Sequence, residues 1–181
     1  KLLVLLALSR NGFMLRDDLC NVLWPDDFLD ANRLRLRQEL ARLRKCLGDA
    51  SNLVKPTGQT IQLVLADLDT DIGLLKRGKL NADDAERVLS EELMPGWDDP
   101  WVIAERQGSL PYRIKLANDL ALSLLAAGDY GKVLELSQAG LALDPQNEDL
   151  KMLAVKAHAG MGSLVNAVSE YRRYQIPQGA D

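Results

Sequence analysis

Apolar residues recur at helical spacing along most of the chain, and one short stretch alternates instead. The run Leu2-Leu3-Val4-Leu5-Leu6-Ala7-Leu8 predicts a buried helix over 2–9, which Asn11-Gly12 would end because glycine suits a left-handed terminating position. Leu19, Val22 and Leu23 share one face of a second helix over 16–23, stopped at Trp24-Pro25. A third helix is expected over 31–47, with Asp30 as its N-cap and Gly48 as its stop. Its Leu36, Leu40, Leu43 and Leu47 form one narrow apolar stripe. Residues 53–65 then read as a β-hairpin around Pro56-Thr57-Gly58-Gln59, with alternation in Thr60-Ile61-Gln62-Leu63.

Beyond Asp67 the spacing is helical to the end. Helices are expected over 69–77 and 82–93, and a long helical stretch over 101–127, interrupted near Gly108 to Pro111. Further helices are expected over 131–143, 147–160 and 164–174. Ala127-Gly128-Asp129-Tyr130 followed by Val133-Leu134 recurs as Met161-Gly162-Ser163-Leu164 followed by Ala167-Val168. A period of about 34 residues, with a glycine turn between helices and Pro145 after the second, is the tetratricopeptide pattern. The order helix, helix, basic helix, hairpin is that of a winged helix. The expected fold is therefore mainly α: a winged helix-turn-helix domain with a β-hairpin wing over 1–66, and an all-α tetratricopeptide-like domain over 67–181.

Charge sharpens the division. The 181 residues carry a formal net charge of -4, but residues 1–66 are net +3 and residues 67–181 are net -7. From Arg33 to Lys45 there are six basic residues and one acidic residue, Glu39. At about 100° per residue, Arg35, Gln38, Arg42 and Lys45 lie opposite the leucine stripe, while Arg33, Arg37 and Arg44 flank it. Such a face fits double-stranded DNA, with Arg for guanine edges and Arg or Lys for phosphates. On the hairpin, Lys55, Thr57 and Gln59 would meet the backbone or minor groove. Arg42 is expected at a base edge or nearby phosphate, and Arg44, nearer the stripe, is expected to be mainly structural.

Other chemistry is thin. No phosphate-binding glycine loop, dinucleotide fingerprint or zinc-protease motif occurs, so neither an enzyme nor a cofactor or metal site is expected. The lone His158 reads as a packing or surface residue, since zinc needs clustered ligands. Asp17-Asp18, Asp26-Asp27 and Asp98-Asp99 sit where helix starts and turns favour Asp. Cys20 and Cys46 read as two core thiols in a reducing cytoplasm, with a disulfide or redox switch as the alternative. Trp97 and Trp101 read as core anchors. The opening apolar run is too short for a bilayer span and lacks a signal-peptide cleavage site, so no membrane association is expected.

The sequence resembles a known class of regulators. Leu23-Trp24-Pro25-Asp26, Arg33-Leu34-Arg35-Leu36-Arg37-Gln38-Glu39-Leu40 and Arg42-Leu43-Arg44-Lys45 are similar to the second and third helices of an OmpR-type winged-helix output domain. Leu93-Met94-Pro95-Gly96-Trp97-Asp98-Asp99, with Trp101-Val102 and Glu105-Arg106, resembles the bacterial transcriptional activator domain that follows the winged helix in SARP-like regulators. The strands that precede the first helix in that class are absent, and Leu15 stands where a Ser or Thr cap is usual. With no initiating Met, the chain reads as an N-terminally truncated piece. The resemblance implies a cytoplasmic transcription activator whose helical repeats meet a protein partner, RNA polymerase or a second copy of the chain. A different class of function stays open beside it: an interaction module in which the repeats bind a partner and the winged helix binds no DNA.

Overall fold

The computed structural model describes residues 1–9, 12–64, 70–80 and 82–175. It is mainly helical with one small antiparallel sheet, and it divides into two compact units, Lys1–Gly73 and Leu74–Asp181. The domain boundary expected at 66/67 lies outside the described residues, as does Asn11 of the first expected turn.

In the first unit α1 (Leu2–Leu8) and α2 (Arg16–Leu23) flank a short strand, β1 (Phe13–Leu15). The longest helix of the unit, α3 (Leu29–Leu47), leads through a 3-10 turn at Gly48–Leu53 into β2 (Val54–Thr57) and β3 (Thr60–Leu63). The strand order is β1-β3-β2, all antiparallel, with Met14 opposite Ile61 and Pro56 also opposite Ile61 on the other side. Pro56 is tolerated because β2 is an edge strand, where a missing donor costs no ladder bond. Leu6, Leu19, Cys20, Leu36, Leu40, Val54, Ile61 and Leu63 form the buried core.

Three expectations for this unit need correction. The third helix begins at Leu29, with Phe28 at the cap, so Asp30 lies in the first turn and bonds Arg33 instead of capping. The start moves because the amide of Asn32 bonds back to Phe28 O (3.0 Å), adding backbone to the helix before the expected cap. Cys46 is exposed, so only Cys20 is a core thiol. Helical rotation places Cys46 between the buried stripe and solvent, and among the described residues no other element covers it. The strand β1 was not anticipated at all, since three residues carry no readable alternation.

The second unit holds α5 (Ala82–Ser90), α6 (Pro100–Ala127), α7 (Tyr130–Leu143), α8 (Glu148–Gly160) and α9 (Leu164–Gln175), after α4 (Asp71–Arg77), which carries the division between units. The expected break near Gly108 to Pro111 is not there: α6 is one continuous helix. Pro111 and Gly108 are both exposed, while Val102, Ser109, Arg113, Ala117 and Ala121 are buried along the other side. Packing of that face holds both halves in line although Pro111 cannot donate to the preceding turn. Arg106 and Arg113 brace the approach to α6. Arg106 donates to Leu93 O (2.8 Å) and Met94 O (2.7 Å), and Arg113 to Leu89 O (3.2 Å) and Glu91 O (3.0 Å). Trp97 and Trp101 meet edge to face, 6.1 Å between centroids, and both are half-buried.

Two turns in this unit repeat each other bond for bond. Gly128 N–H donates to Leu125 O and Asp129 N–H to Leu124 O; one period on, Gly162 N–H donates to Ala159 O and Ser163 N–H to His158 O. Gly128 and Gly162 have φ of 79° and 76°, the left-handed region that closes a helix without a Cβ penalty. Helices of this unit approach closely where a glycine sits at the contact. A Cβ on Gly140 would lie 2.5 Å from Leu150 Cδ1 and 3.1 Å from Ala117 Cβ. Gly140→Ala is therefore expected to cost about 1–3 kcal/mol in a urea melt. Gly131→Ala, whose Cβ would meet only Asp129 Oδ1 at 3.9 Å, should cost nothing or stabilise. Equal effects from the two substitutions would refute close packing at Gly140.

Candidate nucleic-acid interface

The expected interface rests on α3, and its seating decides which side chains are available. Leu36 and Leu40 are buried, and Leu43 and Leu47 are half-buried. Asn32 extends the stripe and is only 1% exposed. Its Nδ2 donates to Trp24 O (2.9 Å) and Asp27 O (3.3 Å), which fixes the corner between α2 and α3. The rest of the helix faces solvent.

The cations of that surface fall into two groups. Arg33 is tied down: Nε and Nη2 donate to the two oxygens of Asp17 (2.9 and 2.7 Å), and Nη1 to Asp30 Oδ1 (3.2 Å). Arg35 lies over the Trp24 ring at 4.7 Å and donates to Asp27 Oδ2 at 3.3 Å. Arg42 pairs with Glu39 at 2.7 Å, within one turn. Arg44 donates to Val54 O at 3.2 Å, joining α3 to β2. Arg37, Gln38 and Lys45 are exposed and make no hydrogen bond or ion pair with a described residue. The expected ridge of Arg35, Gln38 and Arg42 is thus one open amide between two paired arginines.

Sequence reasoning did not single out three residues of this surface. Leu34 (57% exposed) and exposed Ala41 share the outer face with Gln38 and Lys45. Helical rotation applied to every residue, and not to polar ones alone, would have found them. The third is Arg16, whose backbone N–H donates to Gln59 O and whose Nε donates to Gly58 O, both at 2.9 Å. This long-range tether holds the hairpin tip against the start of α2.

The tip itself is a two-residue turn. Gly58 has φ of 56°, and Gln59 is not among the positive-φ residues, which matches a hairpin turn with glycine at its first central position. Thr60 Oγ1 closes it on Thr57 O (2.9 Å). Thr57, Gln59 and Lys55 are exposed. Between this tip, the start of α2 and the flank of α3 lies a groove of about 570 Å³, lined by Arg16, Asp17, Arg33, Leu36, Arg37, Gly58 and Gln59.

Among the described residues no cluster of His, Cys, Asp and Glu is suited to a metal ion, and no helix is long and apolar enough to cross a membrane. No known protein family matches the chain, and no curated protein is similar enough to count as a relative.

The Asp17–Arg33 pair gives the stability of the first unit a measurable acid dependence. Hydrogen bonds from Arg33 hold the Asp17 carboxyl below its ordinary value. A carboxyl depressed in the folded state adds stability above its unfolded pKa, about 3.9, and that contribution is lost as pH falls through the lower folded value. Wild-type melting temperature should fall across this window, and Asp17→Asn should lack that part of the fall. Superimposable acid profiles for the two proteins would show that the pair contributes nothing.

Proposed function

We propose that the first unit is a winged helix that binds double-stranded DNA, with α3 in the major groove and the β2–β3 hairpin as its wing, and that the protein is a transcription regulator. The observation that carries this reading is the joint presentation of helix and hairpin. The outer face of α3 offers Leu34, Gln38, Ala41 and Lys45, and the hairpin tip is tethered to α2 beside it. The strand order β1-β3-β2 and the placing of β1 between α1 and α2 agree with a winged helix. Gln38 is the residue suited to a base edge, since an amide can bond an adenine in two places at once. Leu34 and Ala41 suit thymine methyls. Arg42 and Arg35 join them only by exchanging an intramolecular carboxylate for the duplex.

The pairing of arginines bears on strength. Arg33, Arg35 and Arg42 are neutralised by Asp17, Asp27 and Glu39, which leaves Arg37, Lys45, Lys55, Arg16 and Arg44 as cations without a carboxylate partner among the described residues, Arg16 and Arg44 each bonding a backbone carbonyl. Each neutralised phosphate adds about −0.9 to the log–log salt slope. Titration of the whole chain with duplex fragments should then give a shallow slope, about −3 to −5. Gln38→Ala should cost about 1–3 kcal/mol on preferred sequences and relax preference at one base pair. Its folding stability should move by less than about 0.5 kcal/mol. Absence of salt-dependent duplex binding, or a Gln38→Ala variant with unchanged preference, would defeat the reading.

A specific observation favours a protein-binding role for the second unit alongside this one. The paired turns at Gly128 and Gly162 support a tetratricopeptide-like repeat, whose helices ordinarily turn their apolar residues toward neighbouring helices. On α9, Leu164, Val165 and Val168 are instead 65%, 83% and 50% exposed. The same surface would serve a partner protein, RNA polymerase or a second copy. Val165→Glu is expected to leave the melt unchanged while abolishing any self-association seen by sedimentation. If association persists in the variant, α9 is not the dimer contact.

A further inference from the structure

We propose that the groove between the start of α2, α3 and the Gly58-Gln59 turn seats one backbone phosphate of the bound duplex, held by Arg16 and Arg37, while Arg33 acts as a brace and not as a contact. The inference rests on the DNA-binding reading above and assigns roles within that surface.

Three guanidinium groups and one carboxylate line this groove. Their bonding separates them. Arg33 has Nε, Nη1 and Nη2 each donating to Asp17 or Asp30, so its orientation is fixed and its charge is already met by carboxylates. What it does is cancel the Asp17 carboxylate, which would otherwise repel a phosphate from the same space. Arg16 is held by one nitrogen only: Nε bonds Gly58 O, and the two terminal nitrogens make no hydrogen bond with a described residue. That bond restricts the side chain before any ligand arrives, so less side-chain freedom is lost on binding. Arg37, on the α3 side, is exposed and without a partner among the described residues. Two fork-shaped donors on opposite walls match the tetrahedral oxygens of a phosphate.

The walls favour a phosphodiester over a small free anion. One wall is α3 and the other is the hairpin tip, the two elements that would straddle a strand of DNA. A strand touching both must cross the groove. The space beside Gly58 is open, since a Cβ there would meet nothing within 4 Å, and the glycine itself is called for by its φ of 56°. Leu36, 1% exposed, forms an apolar floor that strengthens charge interactions above it.

The experiment is a salt-dependent titration of the full chain with preferred and scrambled duplexes. Arg37→Ala is expected to weaken binding roughly tenfold on both duplexes and to lower the salt slope by about one. Arg16→Ala should do the same. The double variant should also lower the slope by only about one, because both side chains hold the same phosphate. Arg33→Ala should weaken binding, and adding Asp17→Asn should restore most of the loss. Arg37 has no hydrogen-bond or ion-pair partner among the described residues, so its variant keeps the test valid should Arg16→Ala fail to fold; melting curves verify each protein. An unchanged slope for Arg37→Ala beside intact wild-type binding overturns the seat, and a double-variant loss of two overturns the shared phosphate. No rescue by Asp17→Asn overturns the brace. A second arm adds inorganic phosphate at constant ionic strength. If it raises the melting temperature through Arg37 while duplex binding ignores Arg37, the groove is a free-anion site and the proposal fails. Wild-type protein without salt-dependent duplex binding is a different result, since it removes the DNA-binding reading itself.

Discussion

Asn32 is a polar residue set into an apolar stripe, and much of the first unit follows from it. A buried amide without partners is costly, so its position is tied to the carbonyls of Trp24 and Asp27. Those bonds fix the corner between α2 and α3, and with it the rotation of α3 about its axis. Once that rotation is set, Leu36 and Leu40 enter the core, Arg33 meets Asp17, and Arg35 lies over Trp24. Gln38 and Lys45 are left outward by the same rotation.

The second constraint is the tether between Arg16 and the hairpin tip. It joins residues far apart in sequence, and it makes the tip part of the helical body instead of a free loop. A surface that must meet a ligand with two elements gains from such rigidity, because ordering a loose hairpin on binding would weaken the complex. Electrostatics then works by subtraction. Six basic residues on α3 suggest strong affinity, yet Asp17, Asp27 and Glu39 neutralise three of them, and Arg44 is turned to a backbone carbonyl. The remaining charge is modest and unevenly placed.

The second unit is organised by close approach. Gly140 packs against Leu150 and Ala117, and Gly160 against the Tyr130 ring, so helices meet at distances a larger residue would forbid. The two Gly turns set the angle of each helix pair, and Asp129 and Asn147 cap the helices that follow by accepting from Lys132 N and Leu150 N. The apolar outer stripe of α9 stands outside this scheme.

Periodic features were legible in the sequence. The leucine stripe of α3, the hairpin, the helical character of the later residues and the turn repeat at Gly128 and Gly162 all follow from local spacing, which depends only on residues a few positions apart. Boundaries and short elements were not. β1 exists because β3 pairs with it, and α6 runs through Pro111 because its buried face is held along its length. The candidate site divides in the same way. Which residues of α3 are basic, and that Arg44 lies on the flank of the leucine stripe, could be read from helical rotation. Which arginines remain available could not, because Asp17, Asp27 and Gly58 reach them from other elements. Local sequence determines the faces of each helix; the partners that neutralise or orient those faces are chosen by long-range packing, which brings together groups that no local spacing relates.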